Sequence, residues 1–206
     1  MNKGKLLTLE GIEGVGKSTH VAFIAETLHS KGFRSISTRE PGGTPLGESV
    51  RDILLHGRDL NILAETELML MFAARLQHIQ EIIVPAMADG LVVICDRFID
   101  ASYAYQGGGR GIRHETIAVL EQWVLKDLRP DLTLLFDATV ETGLQRAGNR
   151  SDADRFESEN VNFFNRVRET YLARAKDEPE RIKIIDAEQD IHTVEKQISA
   201  VLETFI

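Results

Sequence analysis

The stretch Gly11-Ile12-Glu13-Gly14-Val15-Gly16-Lys17-Ser18, with Thr19 behind it, sets a glycine four residues ahead of Gly-Lys-Ser. A phosphate-binding loop needs that spacing. Glycines let the backbone curl until successive N–H groups face a single anion. Lys17 adds a point charge for the β- and γ-phosphates of a nucleotide, and the Ser18 hydroxyl can ligate Mg²⁺. Gly11 to Thr19 is therefore the expected ATP-binding segment. Asp96 and Asp137 each close an apolar run, where a carboxylate can hold Mg²⁺ opposite Ser18, directly or through water. Spacing alone does not separate the two. Arg97 tips the choice to Asp96, because a guanidinium there suits a bidentate grip on phosphate, although it could instead pair with Asp96 or Glu40. Arg146, Arg150 and Arg155 fall in a glycine- and aspartate-bearing stretch at about 146–156. An arginine-bearing flap suits phosphoryl transfer, which spreads charge over the moving oxygens and profits from excluding water. Phe72 and Arg75, three apart on a helix, face one direction. They could stack a base and bond its edge, or Phe72 could simply be core.

These groups need a scaffold that gathers them. Leu6 to Leu9 is a short apolar strand before the loop, and Val21, Ile24, Ala25 and Leu28 mark one face of the helix after it. Phe33–Thr38 reads as a second strand, closed by Arg39-Glu40-Pro41-Gly42-Gly43. Thr44-Pro45 opens a helix, and another spans about Ala64–Asp89 with a kink at Pro85. Leu91–Cys95 is a continuous apolar run, the pattern of a strand buried on both faces of a parallel sheet, and Leu132–Phe136 reads as another buried strand. Gly107–Gly111 reads as a glycine-rich loop before a helix at His114–Lys126. Thr139 can cap a short helix leading into the flap, a further helix spans about Glu159–Lys176, Arg181–Ile185 is a last strand, and Ile191–Phe205 a closing helix. Strands alternating with helices predict an α/β fold in a single domain, residues 1–206: a five-stranded parallel sheet with helices on both faces. Ligands should lie at the carboxyl ends of the strands.

The 206 residues include 43% hydrophobic and 27% charged side chains, an ordinary globular balance, and the net charge is −8. An acidic chain is a poor nucleic-acid binder, so any anion-binding charge must be local. The one cysteine, Cys95, excludes an intramolecular disulfide. No apolar run approaches the ~20 residues that span a bilayer, and Met1–Lys5 begins no signal peptide. No nucleic acid and no membrane partner are expected, and the cytoplasm is the expected compartment.

Taken together, Gly11–Thr19, Thr38–Gly43, Phe72-Ala73-Ala74-Arg75, Asp96-Arg97-Phe98 and Ala104–Gly111 resemble bacterial thymidylate kinase, in order and spacing, over nearly the whole chain. The resemblance implies a P-loop kinase that transfers the γ-phosphoryl group of ATP to dTMP, giving dTDP and ADP on the way to dTTP, with Mg²⁺ held by Ser18 and Asp96. It implies that Glu13 engages the acceptor's 3′-hydroxyl and Arg97 its phosphate, helped by Arg39 and Arg51. Phe72 and Arg75 match the thymine stack and O4 contact, Ser102 and Gln106 lie where base-edge contacts are expected, and Tyr105 matches the tyrosine that crowds out a ribose 2′-hydroxyl. Gly14 stands where one branch of the family has arginine, so this chain resembles the branch whose flap supplies the catalytic arginines, here Arg146, Arg150 and Arg155 beside Lys17. Phe98 departs from the tyrosine or histidine frequent after Asp-Arg. Relatives also imply a homodimer, for which Leu68–Ile83 offers an apolar helix. Two other readings compete: another P-loop nucleoside or nucleoside monophosphate kinase, and a nucleotide-dependent switch. The absence of an Asn-Lys-x-Asp motif weighs against the switch, and Arg97 weighs for an acceptor that already carries phosphate.

Overall fold

Short strands of branched and apolar residues form the centre of the structure. A computed structural model describes residues 4–57, 60–148, 155–156 and 159–205. Five parallel strands, β1 (Lys5–Glu10), β2 (Ser35–Arg39), β3 (Val92–Asp96), β4 (Leu132–Asp137) and β5 (Ile182–Asp186), lie in the order β2-β3-β1-β4-β5. Leu6, Leu7, Leu9, Val93, Ile94 and Leu134 are fully buried, so the inner strands are covered on both faces, as their mostly apolar sequences require. The register aligns Leu9 with Asp96 and Asp96 with Arg39. Thus β1, β3 and β2 end at one level, and the segments leaving them share one edge. The direction of travel across the sheet reverses at β1, which opens a crevice at that edge.

The helices α1 (Lys17–Ser30), α2 (Pro45–His56) and α3 (Ala64–His78) follow the first two strands. Thr44 caps α2 by accepting the Gly47 N–H at 2.9 Å. The helix expected over Ala64–Asp89 departs from α geometry before its proline. A π-helical turn at Ile79–Ile83 separates α3 from α4 (Val84–Ala88). Pro85 has no N–H to donate and its ring crowds the carbonyl four residues back, so the turn ahead of it widens.

A larger correction concerns the glycine-rich segment. After α5 (Ile99–Ser102), Tyr103–Gly109 forms a π-helical run, not a loop, before α6 (His114–Leu125). The glycines serve close packing. A Cβ on Gly108 would stand 2.1 Å from Thr170 Oγ1, and one on Gly109 2.5 Å from the Phe163 ring. Both neighbours belong to α8 (Val161–Asp177), whose Arg166 donates to the carbonyls of Gly108 and Gly109. The fold is completed by α7 (Val140–Gly148) and α9 (Ile191–Phe205). No helix among the described residues is long and apolar enough to cross a membrane.

Candidate active site

At the carboxyl edge of β1 the chain curls through Gly11, Gly14 and Gly16, all at positive φ, into α1. The Lys17 ammonium folds back over this loop and donates to the carbonyls of Gly11 (2.9 Å) and Ile12 (2.8 Å). Burial, with Arg97 nearby, pulls Lys17 down to about 8. Gly14 sits against the backbone of α7: a Cβ there would stand 2.0 Å from the Gly143 carbonyl oxygen. Any side chain at position 14, arginine included, would force that helix away.

The Ser18 hydroxyl donates to Asp96 Oδ2 at 3.4 Å. Asp96 Oδ1 is buried and has no hydrogen-bond partner among the described residues. Asp137, by contrast, is held bidentately by Arg168 at 2.7 and 2.8 Å. The two carboxylates that spacing could not separate thus divide cleanly. The orphaned oxygen of Asp96 beside a serine hydroxyl fits a hard divalent cation, which takes oxygen ligands.

Arg97 leaves β3 in the left-handed region, φ 67°. Its neighbours hold it there: its own N–H bonds Leu9 O at 2.9 Å, and the next N–H, of Phe98, bonds Glu10 Oε1 at 2.8 Å. Glu10 is fully buried, and that burial, with Asp100 close by, pushes its carboxyl up to about 7. The Arg97 guanidinium then donates to Gly11 O and to Glu13 Oε1, both at 2.9 Å, and lies over the Tyr105 ring at 4.8 Å. The Tyr105 hydroxyl donates to the same Glu13 carboxylate at 2.7 Å. Glu13, Arg97 and Tyr105 therefore form one cluster beside the phosphate loop.

The cleft continues from there past Glu40, Pro41, Arg51 and Leu55 on the β2–α2 side, Met71 and Arg75 on α3, and Ala101, Ser102, Tyr105, Gln106 and Phe156. Arg75 is nearly sealed, at 2% exposed. It donates to Glu40 Oε2 (2.7 Å), Ser102 Oγ (2.9 Å) and the Phe98 carbonyl (2.9 Å). The Glu40–Pro41 bond is cis. Gln106 donates to Glu67 Oε1 at 2.8 Å.

Several expected residues sit elsewhere. Phe72 is almost fully buried, at 3% exposed. Its ring belongs to the core, where it supports the Arg75 guanidinium from 4.9 Å. Met71, on the same helix, lines the cleft. Arg39 is surface-exposed, paired with Glu48 at 3.0 Å and off the cleft wall, whereas Arg51 lines it and donates to Pro41 O. Arg146 donates to Ala187 O at 2.8 Å. Arg155 reaches Glu67 at 2.5 Å and Leu54 O at 2.8 Å. Arg150 lies outside the described residues. Phe98 is fully buried and contributes backbone, not a polar side chain. Sequence reasoning missed Leu55, Met71 and Phe156 on the cleft wall, and Glu67 behind Gln106; of these only Met71 was readable, from its four-residue spacing to Arg75.

A parallel sheet whose first strand feeds a glycine-rich loop, with lysine and serine on the loop and a half-buried carboxylate opposite, defines a P-loop phosphotransferase. Residues 9–198 match the sequence model of the thymidylate kinases. Among curated relatives, a thymidylate kinase of Pseudomonas syringae pv. tomato is 55% identical over 97% of this chain and 95% of its own length. One of Thiobacillus denitrificans is 54% identical over 97% of each chain. The crystal structure of thymidylate kinase from Ehrlichia chaffeensis superposes with a TM-score of 0.78 at 35% identity, covering 97% of this chain and 98% of that one. The chain belongs to the thymidylate kinase family, enzymes that phosphorylate dTMP to dTDP with ATP.

Proposed function

We propose that the cleft seats dTMP with its phosphate at Arg97, its sugar at Glu13 and Tyr105, and its base between Met71, Arg75, Ser102 and Gln106, while Gly11–Thr19 holds ATP. The observation that carries this reading is the junction at Glu13. One carboxylate on the phosphate loop binds both Arg97 and Tyr105, so donor loop and acceptor groups meet at one point. Ser18 and Asp96 would hold Mg²⁺, which would offset negative charge on the nucleotide phosphates.

The chemistry needs no general base. A phosphate monoester has a second pKa of about 6 and is largely a dianion at pH 7. The protein must hold two anions in line and offset their repulsion. Lys17 faces the donor and Arg97 the acceptor. Gly14 leaves the loop without an arginine, so Arg146, Arg150 and Arg155 are the flap candidates for the transferring group; Arg155 in its present pairing with Glu67 acts on the flap's anchorage instead.

A homodimer is part of the same reading. Met69 and Leu76 on α3, and Val119 and Trp123 on the adjacent α6, are exposed apolar side chains on neighbouring helices. The cytoplasm, where both nucleotides are found, suits this activity and the unpaired Cys95.

A coupled ADP-release assay across dTMP, dCMP, dGMP and UMP tests the assignment. Turnover should be confined largely to dTMP and should need no partner protein. Equal rates with all four acceptors would overturn it. Sedimentation analysis of the wild type and Trp123→Glu tests the dimer, which the substitution should dissociate.

A further inference from the structure

His78 lies one turn beyond Arg75 on α3 and has no solvent exposure. Its Nδ1 lies 2.9 Å from Glu40 Oε1, and its Nε2 lies 2.7 Å from Thr38 Oγ1. The other Glu40 oxygen receives Arg75 Nε at 2.7 Å. A chain of polar contacts therefore runs from the end of β2 to the cleft: Thr38, His78, Glu40, Arg75, Ser102. We propose that His78 is a positioning residue for acceptor recognition, clamping Glu40 so that Arg75 presents a fixed guanidinium to the base. This rests on the reading above that Arg75 faces the acceptor's base.

A carboxylate bonded through one oxygen swings about its Cγ–Cδ bond. Bonded through both, it is fixed, and so is the arginine it holds. His78 supplies the second anchor, and the ring itself is pinned. A Cβ on Gly43 would meet the His78 ring and Thr38 Oγ1, each at 2.7 Å, so glycine is what lets that turn close over them. The charges also balance. Arg75 and Glu40 neutralise one another, both nearly sealed from solvent. Both His78 ring nitrogens have partners, a Glu40 oxygen at one and the Thr38 hydroxyl at the other, so the ring leaves no polar atom orphaned in the interior. Ligand-capable atoms of Glu40, His78 and Cys95 approach within 4.8 Å, but this is no metal cage. Arg75 already takes the carboxylate, and the Cys95 thiol, pushed well up by burial, donates to Arg97 O.

The two amide isosteres of histidine separate the anchors. Asparagine places its NH₂ near Nδ1 and keeps the bond to Glu40, whereas glutamine reaches the Nε2 position and keeps only Thr38. His78→Gln should raise KM for dTMP about tenfold, the worth of one charge-assisted hydrogen bond, with kcat and the KM for ATP within about twofold. His78→Asn should restore KM to within about threefold of the wild type. Thr38→Val, at a half-buried site, should give a smaller rise of the same kind if His78→Gln does not fold. Equal KM for the Asn and Gln variants, or a common fall in kcat and both affinities, would overturn the proposal in favour of packing alone. Arg75→Lys is the separate control: an unchanged KM for dTMP would remove the base from Arg75, and this inference with it.

Discussion

Glu67 offers the sharpest test of how the cleft is held together. It sits on α3 with no solvent exposure and receives Gln106 at 2.8 Å, Arg110 at 3.3 Å and Arg155 at 2.5 Å. Arg110 and Arg155 expose only 17% and 16% of their side chains, so screening by solvent is weak. Glu67→Gln keeps the shape and one acceptor but leaves two buried guanidinium groups short of their shared anion. Removing one partner of a buried ion pair costs about 3–5 kcal/mol. The near-isosteric amide and the remaining Arg110–Glu159 pair place the expected loss near the lower bound, about 3 kcal/mol. For a chain of this length that lowers Tm by roughly 6–12 °C. Thermal and urea unfolding of the wild type, Glu67→Gln, Arg155→Ala and the double variant should show coupling of about 1.5–3 kcal/mol between the two sites. The same four proteins settle what Arg155 does. If it works through Glu67, the two single variants lose activity alike and the double variant loses no more. If Arg155 instead meets the transferring phosphoryl, its alanine variant loses far more kcat than Glu67→Gln. An unshifted Tm together with additive losses would refute the shared-anion account altogether.

Three further outcomes follow from the site. Lys17, brought down to about 8 in the free protein by burial, should be charged below that pH and neutral above it; ATP favours the charged form, so affinity should fall as pH rises through about 8 and binding there should take up a proton, whereas a flat profile by calorimetry in buffers of different ionisation enthalpy would contradict it. Asp96→Asn, which removes charge beside Ser18, should raise the Mg²⁺ concentration for half-maximal activity by about tenfold to a hundredfold, while Asp137→Asn should leave that concentration unchanged and lower stability. Gly143→Ala, whose new Cβ would stand 2.7 Å from the Glu13 carbonyl oxygen, should raise KM for ATP about tenfold by shifting the loop, and Gly14→Ala, at φ 73°, should be the worse of the two.

The inner strands were readable because they are mostly apolar, and a strand buried on both faces leaves that trace in any context. The phosphate loop was readable because its backbone needs glycine at fixed offsets. The glycines of 107–109 misled for an instructive reason. Glycine marks either a turn or a close approach, and the approaching partner, Phe163 with Thr170, lies more than fifty residues away in the chain. Met71 was passed over for a similar cause. An aromatic next to an arginine draws attention first, but which residues of a helix line a cleft depends on where its neighbours pack. Glu67 left no local trace at all, since a buried carboxylate is indistinguishable in sequence from a solvated one until its cationic partners are placed.

Those buried carboxylates resolve the apparent conflict between a net charge of −8 and two anionic substrates. The arginines around the cleft do not wait as free positive charge. Arg97 is paired with Glu13, Arg75 with Glu40, and Arg155 with Glu67. Each acid offsets the cost of burying its arginine and fixes the plane of the guanidinium. Lys17 is held instead by two backbone carbonyls, which orient it without neutralising it. In the proposed reading the acceptor phosphate competes with Glu13 for Arg97, so its arrival frees a carboxylate at the point where the acceptor sugar would lie. Binding of the acceptor's phosphate and recognition of its sugar would then be a single exchange of partners at Glu13. On this view Glu13→Gln should weaken discrimination between dTMP and UMP even where it tightens the grip on phosphate.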